Sequence, residues 1–236
     1  MNNEEITIII PTLNEAEGIM LVIKEIRECL EDPHILVIDA KSNDGTPQIA
    51  ARLNAQVVIQ EDRGKGRAIA QSIRYINPKT KYVVIIDGDY TYPAYYIPKM
   101  IKLLEKNTEI GMVTGDRFSK HHNFSKHPPT DLHHFGNCLL KLMHRLLNKV
   151  KMRDPLTGFR VIRYHYFKDF KPKAKGFDIE VELNYYINKK TKIIELPIEY
   201  RPRVGLKKLR IRDGFIIFMR IFAMMLEDLI KLPGRE

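Results

Sequence analysis

Four short runs rich in β-branched residues, most of them followed by a segment with helical spacing, constrain this chain more than any single residue does. They are Ile6–Ile10, His34–Asp39, Ala55–Ile59 and Val83–Ile86. Near-continuous apolar character marks strands buried on both faces, as in parallel sheets. After the first run, Ile19, Val22, Ile23, Ile26 and Leu30 recur at helical intervals, which predicts an amphipathic helix over Glu17–Leu30. Thr46 and Pro47 read as the N-cap and first residue of a second helix. An Ala/Ile-rich helix follows Gly64-Lys65-Gly66 as far as Tyr75. This alternation predicts an α/β fold, a mostly parallel, doubly wound, Rossmann-like sheet that takes up ligands in the loops at the carboxyl ends of its strands.

Those loops hold Asn14, Glu15, Asp39, Asp44, Lys65, Asp87 and Asp89. The fourth run stops at Asp87-Gly88-Asp89, residues that suit neither strand nor helix interiors. Alternate strand residues share a face, so extended geometry carried past the strand end aims both carboxylates the same way. Two hard oxygen donors so placed suit Mg²⁺ or Mn²⁺ bridging the phosphates of a nucleotide. The plainer alternative is an ordinary strand-to-turn junction, since Asp-Gly is a common turn pair.

The second half continues with a helix over Pro93–Glu105, a strand Gly111–Thr114 leading to Asp116-Arg117, and an amphipathic helix Leu132–Val150. Next come a polar turn Asp154–Arg160, a short strand Val161-Ile162, and a helix from Phe177 whose early acids the helix dipole favours. Lys192–Tyr200 reads as an edge strand because Pro197 interrupts it. Residues 119–131 have no periodicity and read as a basic loop, a candidate lid. Neither the histidines in and after it nor Cys29 and Cys138 show metal-ligand spacing.

Charge divides the chain. Residues 1–118 carry 14 Lys+Arg and 17 Asp+Glu, residues 119–236 carry 25 and 12, and the whole is +10. The back half is therefore built to meet something anionic: nucleic acid, an anionic membrane or a phosphorylated substrate. It lacks a nucleic-acid recognition motif, and its aromatics fall within apolar helical or strand patterns, so no nucleic-acid partner is expected. Residues 214–226 are apolar apart from Arg220, too short and interrupted to span a bilayer. Flanked by Arg210, Arg212 and Lys231, they read as a helix lying in the membrane interface, or else as a core or oligomer-interface helix. The N-terminus is polar and acidic, without signal-peptide character; a cytoplasmic protein, peripheral (monotopic) on the cytoplasmic membrane face, is expected.

Six short motifs occur in order: Pro11-Thr-Leu-Asn14-Glu15, Val37-Ile-Asp39 through Thr46, Gly64-Lys65-Gly66, Asp87-Gly-Asp89, Asp154-Pro-Leu-Thr-Gly158-Phe159, and Arg203-Val-Gly205 through Leu209. In this combination the chain, from Ile6 to Arg212, resembles the family 2 glycosyltransferases of GT-A fold. Within them it is most similar to the polyprenyl-phosphate sugar transferases, such as the dolichyl-phosphate mannose and glucose synthases. The resemblance implies a GT-A catalytic domain over residues 1–209 and an amphipathic membrane-interface segment over 210–236. The implied reaction is inverting, metal-dependent transfer of a hexose from a UDP- or GDP-sugar to a polyprenyl phosphate. It implies that Pro11, Asn14, Glu15 and Asp39 line the base and ribose pocket, and that Lys65 lies near the ribose or diphosphate, its glycines permitting close backbone approach. It implies that Asp87 and Asp89 hold Mg²⁺ or Mn²⁺ at the diphosphate, and that Arg117, Arg203 and Lys208 grip the acceptor phosphate. Arg117 joins the two aspartates as a catalytic candidate. Three positions depart from the pattern: Ala40 where many relatives have a second acid, Thr91 where mannose synthases have Gln, and Lys207 in place of Ser.

A phosphate acceptor is already ionised at neutral pH, so positioning and electrostatics supply the catalysis without a strong base. A sugar-hydroxyl acceptor, the alternative, needs a base, for which Asp116 and Asp154 are the candidates. A non-catalytic nucleotide- or nucleic-acid-binding module is the more distant reading.

Overall fold

The structure, a computed structural model, describes residues 5–119, 132–206, 208 and 210–230. Its elements are β1 (Ile6–Thr12), α1 (Ala16–Cys29), β2 (His34–Asp39), α2 (Thr46–Arg52), β3 (Gln56–Ile59), α3 (Lys65–Ser72), β4 (Tyr82–Ile85), α4 (Ile97–Lys106), β5 (Ile110–Asp116), α5 (Leu132–Asn148), β6 (Arg160–Arg163), α6 (Tyr164–Phe167), α7 (Ile179–Asn188), β7 (Lys192–Pro197) and α8 (Ile211–Ile230). The strands form one sheet in the order β3-β2-β1-β4-β6-β5-β7. Every pairing is parallel except those of β6, which runs against both β4 and β5. The mostly parallel α/β sheet is as expected; the reversal of β6 is not. Val161-Ile162 is as apolar as the parallel strands, and periodicity carries no information about direction. Because β6 is reversed, the loop before it, not after it, reaches the edge where β1, β2, β4 and β5 end.

Side chains alternate across the sheet as the pleat requires. Ile8, Ile10, Val37 and Val84 pack with Ile19, Ile23 and Ile26 of α1 and with Met100 and Leu104 of α4. Ile9, Leu36, Ile38, Val83 and Ile85 pack on the opposite side with Ile69 of α3, Phe167 of α6 and Leu183 of α7. A third cluster joins Leu140 of α5, Val181 of α7 and Ile217, Ile221 and Met224 of α8. β7 is an edge strand, as Pro197 predicts, bonded to β5 alone.

Thr46 does not cap α2. Gly45 takes the capping position at φ 91°, and the buried Thr46 hydroxyl donates to Asp44 Oδ1 at 2.5 Å and accepts from Glu15 N–H at 2.8 Å. It ties the loop after β1 to the loop after β2.

Arg220, the cation inside the apolar run of α8, reaches Asp178 at 3.2 Å at the start of α7, and Asn148 Nδ2 donates to Ile221 O at 3.1 Å. One face of α8 is thus docked on α5 and α7. Its other face exposes Phe215, Met219, Phe222, Leu226 and Leu229, next to exposed Leu139, Leu142 and Leu146 of α5. Among the described residues no helix is long and apolar enough to cross a membrane. The candidate lid over 119–131 lies, beyond Ser119, outside the described residues.

Candidate active site

The site is built at the carboxyl edge, around the turn that follows β4. Strand pairing stops at Ile85, Gly88 and Asp89 lie in a turn, and Tyr90 follows at φ 62°. Extended geometry therefore does not persist past the strand, and the two aspartates take different partners. Gly18 of α1 allows this: a Cβ there would stand 2.4 Å from Gly88 O. Asp87, partly exposed, accepts from Lys65 Nζ at 2.5 Å. Asp89 is buried; its Oδ1 accepts from Thr91 N–H at 3.1 Å and Thr91 hydroxyl at 2.6 Å, and its Oδ2 pairs with Arg203 at 2.8 Å. Thr91 is thus a support for Asp89.

Lys65 sits almost buried between Asp87 and Glu180, 2.6 Å from the latter. Burial opposes its charge, but the two carboxylates outweigh burial and its pKa is raised, so it stays protonated. The flanking glycines also let the protein's own backbone come close. Added Cβ atoms on Gly64 and Gly66 would lie 2.2 Å from Lys175 O and 2.3 Å from Ala174 O. Gly66 N–H donates to Gly176 O at 3.1 Å. The close approach is to the protein's own segment ahead of α7.

On the other side of the turn, Arg203 bridges Asp89 and Glu15, and Lys208 reaches Glu15 as well. Val204 N–H donates to Asp89 O at 3.1 Å and Arg201 N–H to Thr91 O at 3.0 Å. Residues 201–204 therefore strap the turn through backbone and side chains. Burial raises the pKa of Glu15 despite the opposing pull of Lys208 and Arg203. Its Oε2 is buried without a hydrogen-bond partner.

Asp39 is fully buried and acts within the protein: Oδ2 accepts from Thr12 and Ser42 hydroxyls at 2.9 and 2.6 Å, Oδ1 from Ser42 N–H at 2.7 Å. Ser42 Oγ in turn accepts from Asn14 N–H at 2.7 Å, and Asn14 Oδ1 from Asn43 N–H at 3.0 Å, with Asn14 at φ 50°. Pro11 lies in β1 opposite Ile38. Pro11, Asn14 and Asp39 gather with Glu15 at one end of β1 and β2, on the side of the turn that Arg203 and Lys208 close.

Arg117 stands apart from Arg203 and Lys208, on the β5 side of the edge. Its Nε and Nη2 clasp Asp154 at 2.7 Å each, its backbone N–H adds a third bond at 3.1 Å, and its guanidinium lies 5.3 Å from the Tyr200 ring centre. Burial opposes its charge, but Tyr92 and Asp154 outweigh burial and keep it charged. With Lys141, Arg153, Phe118 and Leu156 it lines a cavity of about 240 Å³. Asp116 accepts from Phe118 N–H at 2.8 Å and from the Ser119 hydroxyl. Gly158 lies against Asp87, and its N–H donates to the Tyr92 hydroxyl at 2.8 Å.

The sequence reading gave no role to Glu180, Arg160 or Tyr92, and it named Gly158 only as part of a motif. The acids near the start of α7 were visible, but only as partners of a helix dipole. Nothing local indicates that Glu180 meets Lys65, distant in sequence.

A divalent cation fits this turn. Asp87 and Asp89 supply hard oxygens, and the unpartnered Glu15 Oε2 lies buried beside them. Arg203 has to release Asp89 Oδ2 for that carboxylate to serve. Among the described residues no group of three or more His, Cys, Asp or Glu is pre-assembled around one metal position.

The sheet order, the reversed β6 and the acidic turn after β4 define a GT-A-type glycosyltransferase fold. The chain matches "Glycosyl transferase family 2" over residues 7–171, and it belongs to that family. It is 33% identical to glycosyltransferase AglJ of Haloferax volcanii over 93% of this chain and 71% of that one. It is 28% identical to the dolichyl-phosphate hexose transferase of the same organism over 97% of each chain. Among solved structures it superposes on glucosyl-3-phosphoglycerate synthase of Mycobacterium tuberculosis, a complex with Mn²⁺, UDP-glucose and phosphoglyceric acid. There the TM-score is 0.70 at 20% identity, over 93% of this chain and 79% of that one, which shows a shared fold.

Proposed function

We propose that this glycosyltransferase moves a hexose from a UDP- or GDP-sugar to a polyprenyl phosphate, with inversion, while attached peripherally to the cytoplasmic face of a membrane. The observation that carries the reading is that, among the described residues, both candidate bases are already engaged. Asp154 is clasped by three Arg117 donors, and Asp116 is engaged by Phe118 and Ser119. Such a site favours an acceptor that arrives already ionised, as a phosphate does. The similarity to a dolichyl-phosphate hexose transferase along nearly the full length of both chains supports the same acceptor.

In this reading Asp87 and Asp89 hold Mg²⁺ or Mn²⁺, which when bound neutralises the departing diphosphate as a Lewis acid. Lys65 adds a fixed positive charge next to Asp87. Asn14, Glu15 and the loop ordered by Asp39 shape the pocket for base and ribose, beside Pro11. Arg117 faces the acceptor with Lys141 and Arg153, whereas Arg203 and Lys208 hold the strap over the turn and become available to phosphate when it lifts. The exposed apolar stripes of α5 and α8, rimmed by Arg145, Lys149, Arg210 and Arg212, suit an anionic membrane surface.

The test is a donor screen of UDP- and GDP-hexoses with Mg²⁺ or Mn²⁺ against a short polyprenyl phosphate in detergent. Label entering an acid-labile lipid product is the expected result. Failure with every donor, alongside transfer to a sugar hydroxyl, refutes the acceptor.

A further inference from the structure

Lys65 has two carboxylate neighbours, and they do different things. Its ammonium donates a hydrogen bond to Asp87 Oδ1 at 2.5 Å. Glu180 Oε1 is equally near, at 2.6 Å, so the ammonium is held between a partly exposed carboxylate and a buried one. Glu180 therefore shares the ammonium with Asp87 and balances its charge from the buried side. It is itself immobilised: Oε2 pairs at 2.7 Å with Arg160, which is buried and also bonded to Thr157 O. The backbone repeats this link. The amino end of α3 is bonded to Lys175 and Gly176, just ahead of α7, which carries Glu180.

Resting on the metal role proposed above, we infer that Glu180 is a positioning residue that holds the Lys65 ammonium to one side and preserves the negative charge of Asp87 for the divalent cation. Lys65, Arg160, Asp87 and Glu180 sum to zero charge. Neutralising Glu180 leaves the group at +1, with Lys65 relying on Asp87 alone. Both changes oppose a cation at Asp87, and they do so without altering any atom that touches it.

The readout is Mn²⁺ affinity, followed by the loss of the free-ion electron paramagnetic resonance signal on titration in the presence of UDP, with no acceptor and no turnover. Glu180→Gln is expected to raise the Mn²⁺ Kd about tenfold, the scale on which one neighbouring charge acts. In a Lys65→Met background the same substitution is expected to change Kd by about threefold or less, because only the lost charge still acts on the cation and the ammonium that Glu180 holds aside is gone. Should Glu180→Gln alone fail to fold, Glu180→Gln/Arg160→Met removes the buried pair together and is titrated against Arg160→Met. Wild-type Mn²⁺ affinity in the Gln variant overturns this inference while leaving the metal role intact. An equal loss in both backgrounds overturns it too, since Glu180 then acts on the cation directly. A wild-type chain that takes up no Mn²⁺ overturns the metal role and this inference with it.

Discussion

Gly158→Ala separates the stability of this fold from the function proposed for it. A Cβ at Gly158 would lie 2.1 Å from Asp87 Oδ2, 2.7 Å from its Cγ and 2.9 Å from its Oδ1. Restoring ordinary contact moves the carboxylate by roughly 1 Å, and Asp87, partly exposed at a side-chain end, can yield that much. The movement strains or breaks the 2.5 Å bond from Lys65, a loss of about 1 kcal/mol in stability. Function has less tolerance, because a misplacement of about 1 Å at a reacting centre lowers rate on the order of 100-fold. The assay is kcat/KM for sugar transfer, read with a thermal melt of the same preparation. Gly214→Ala is the control: nothing lies within 4 Å of an added Cβ there, in the middle of no site, and a helical Gly→Ala change stabilises by up to about 1 kcal/mol. A Gly158→Ala enzyme with wild-type kcat/KM refutes the reasoning, since it would show that the position of Asp87 is immaterial.

Arg203→Ala removes the cation shared by Asp89 and Glu15, and is expected to destabilise the metal-free protein by roughly 2–4 kcal/mol. The same variant should gain more melting temperature from Mn²⁺ than the wild type does, because no guanidinium competes for Asp89; an equal gain contradicts the competition. His144 is buried under α8 with its pKa lowered to about 4 by burial, below the ordinary 6.5. As pH falls the unfolded chain takes up this proton first. His144 therefore contributes stability that is complete above pH 6.5 and is lost between 6.5 and 4, by roughly 3 kcal/mol in total. Denaturant midpoints for wild type and His144→Gln should diverge over that window, and parallel curves refute the assignment. Phe215→Asp/Phe222→Asp should abolish co-sedimentation with phosphatidylglycerol vesicles while leaving the melting temperature within a few degrees; unchanged sedimentation excludes the α8 face as the contact.

The elements that depend on local pattern were legible in the sequence. The apolar runs place the strands, the helical spacing of α1 places its buried face, and Pro197 places β7 at an edge. The gathering of Asn14, Glu15, Asp39, Lys65, Asp87 and Asp89 follows from the parallel layout alone. What remained hidden depends on pairing across long stretches of chain. The turn at Gly88 and Asp89 ends the extended geometry, and the different partners of the two aspartates, Lys65 for Asp87 and Arg203 for Asp89, are chosen by tertiary placement. The packing of Gly64 and Gly66 against Lys175 and Ala174 leaves no local trace in the sequence. The apolar run of α8 was correctly read as too short to span a bilayer, but its Arg220 gave no hint of Asp178.

The reversed strand β6 has a consequence for how such an enzyme can change. Because β5 ends and β6 begins at the same edge, the chain leaves the sheet after Asp116 and re-enters it at Arg160 on that same edge, an excursion of residues 117–159 in the sequence. Nothing in the pairing of either strand depends on how long that excursion is, and closing a longer loop costs little more entropy than closing a shorter one. Segments of different length and chemistry can be exchanged here while β1 to β4, with the loops proposed to hold the donor, stay as they are. The excursion carries α5, Arg117 and Asp154, so the acceptor side and the membrane-facing side proposed here can diverge together as one replaceable cassette on an unaltered β1–β4 half.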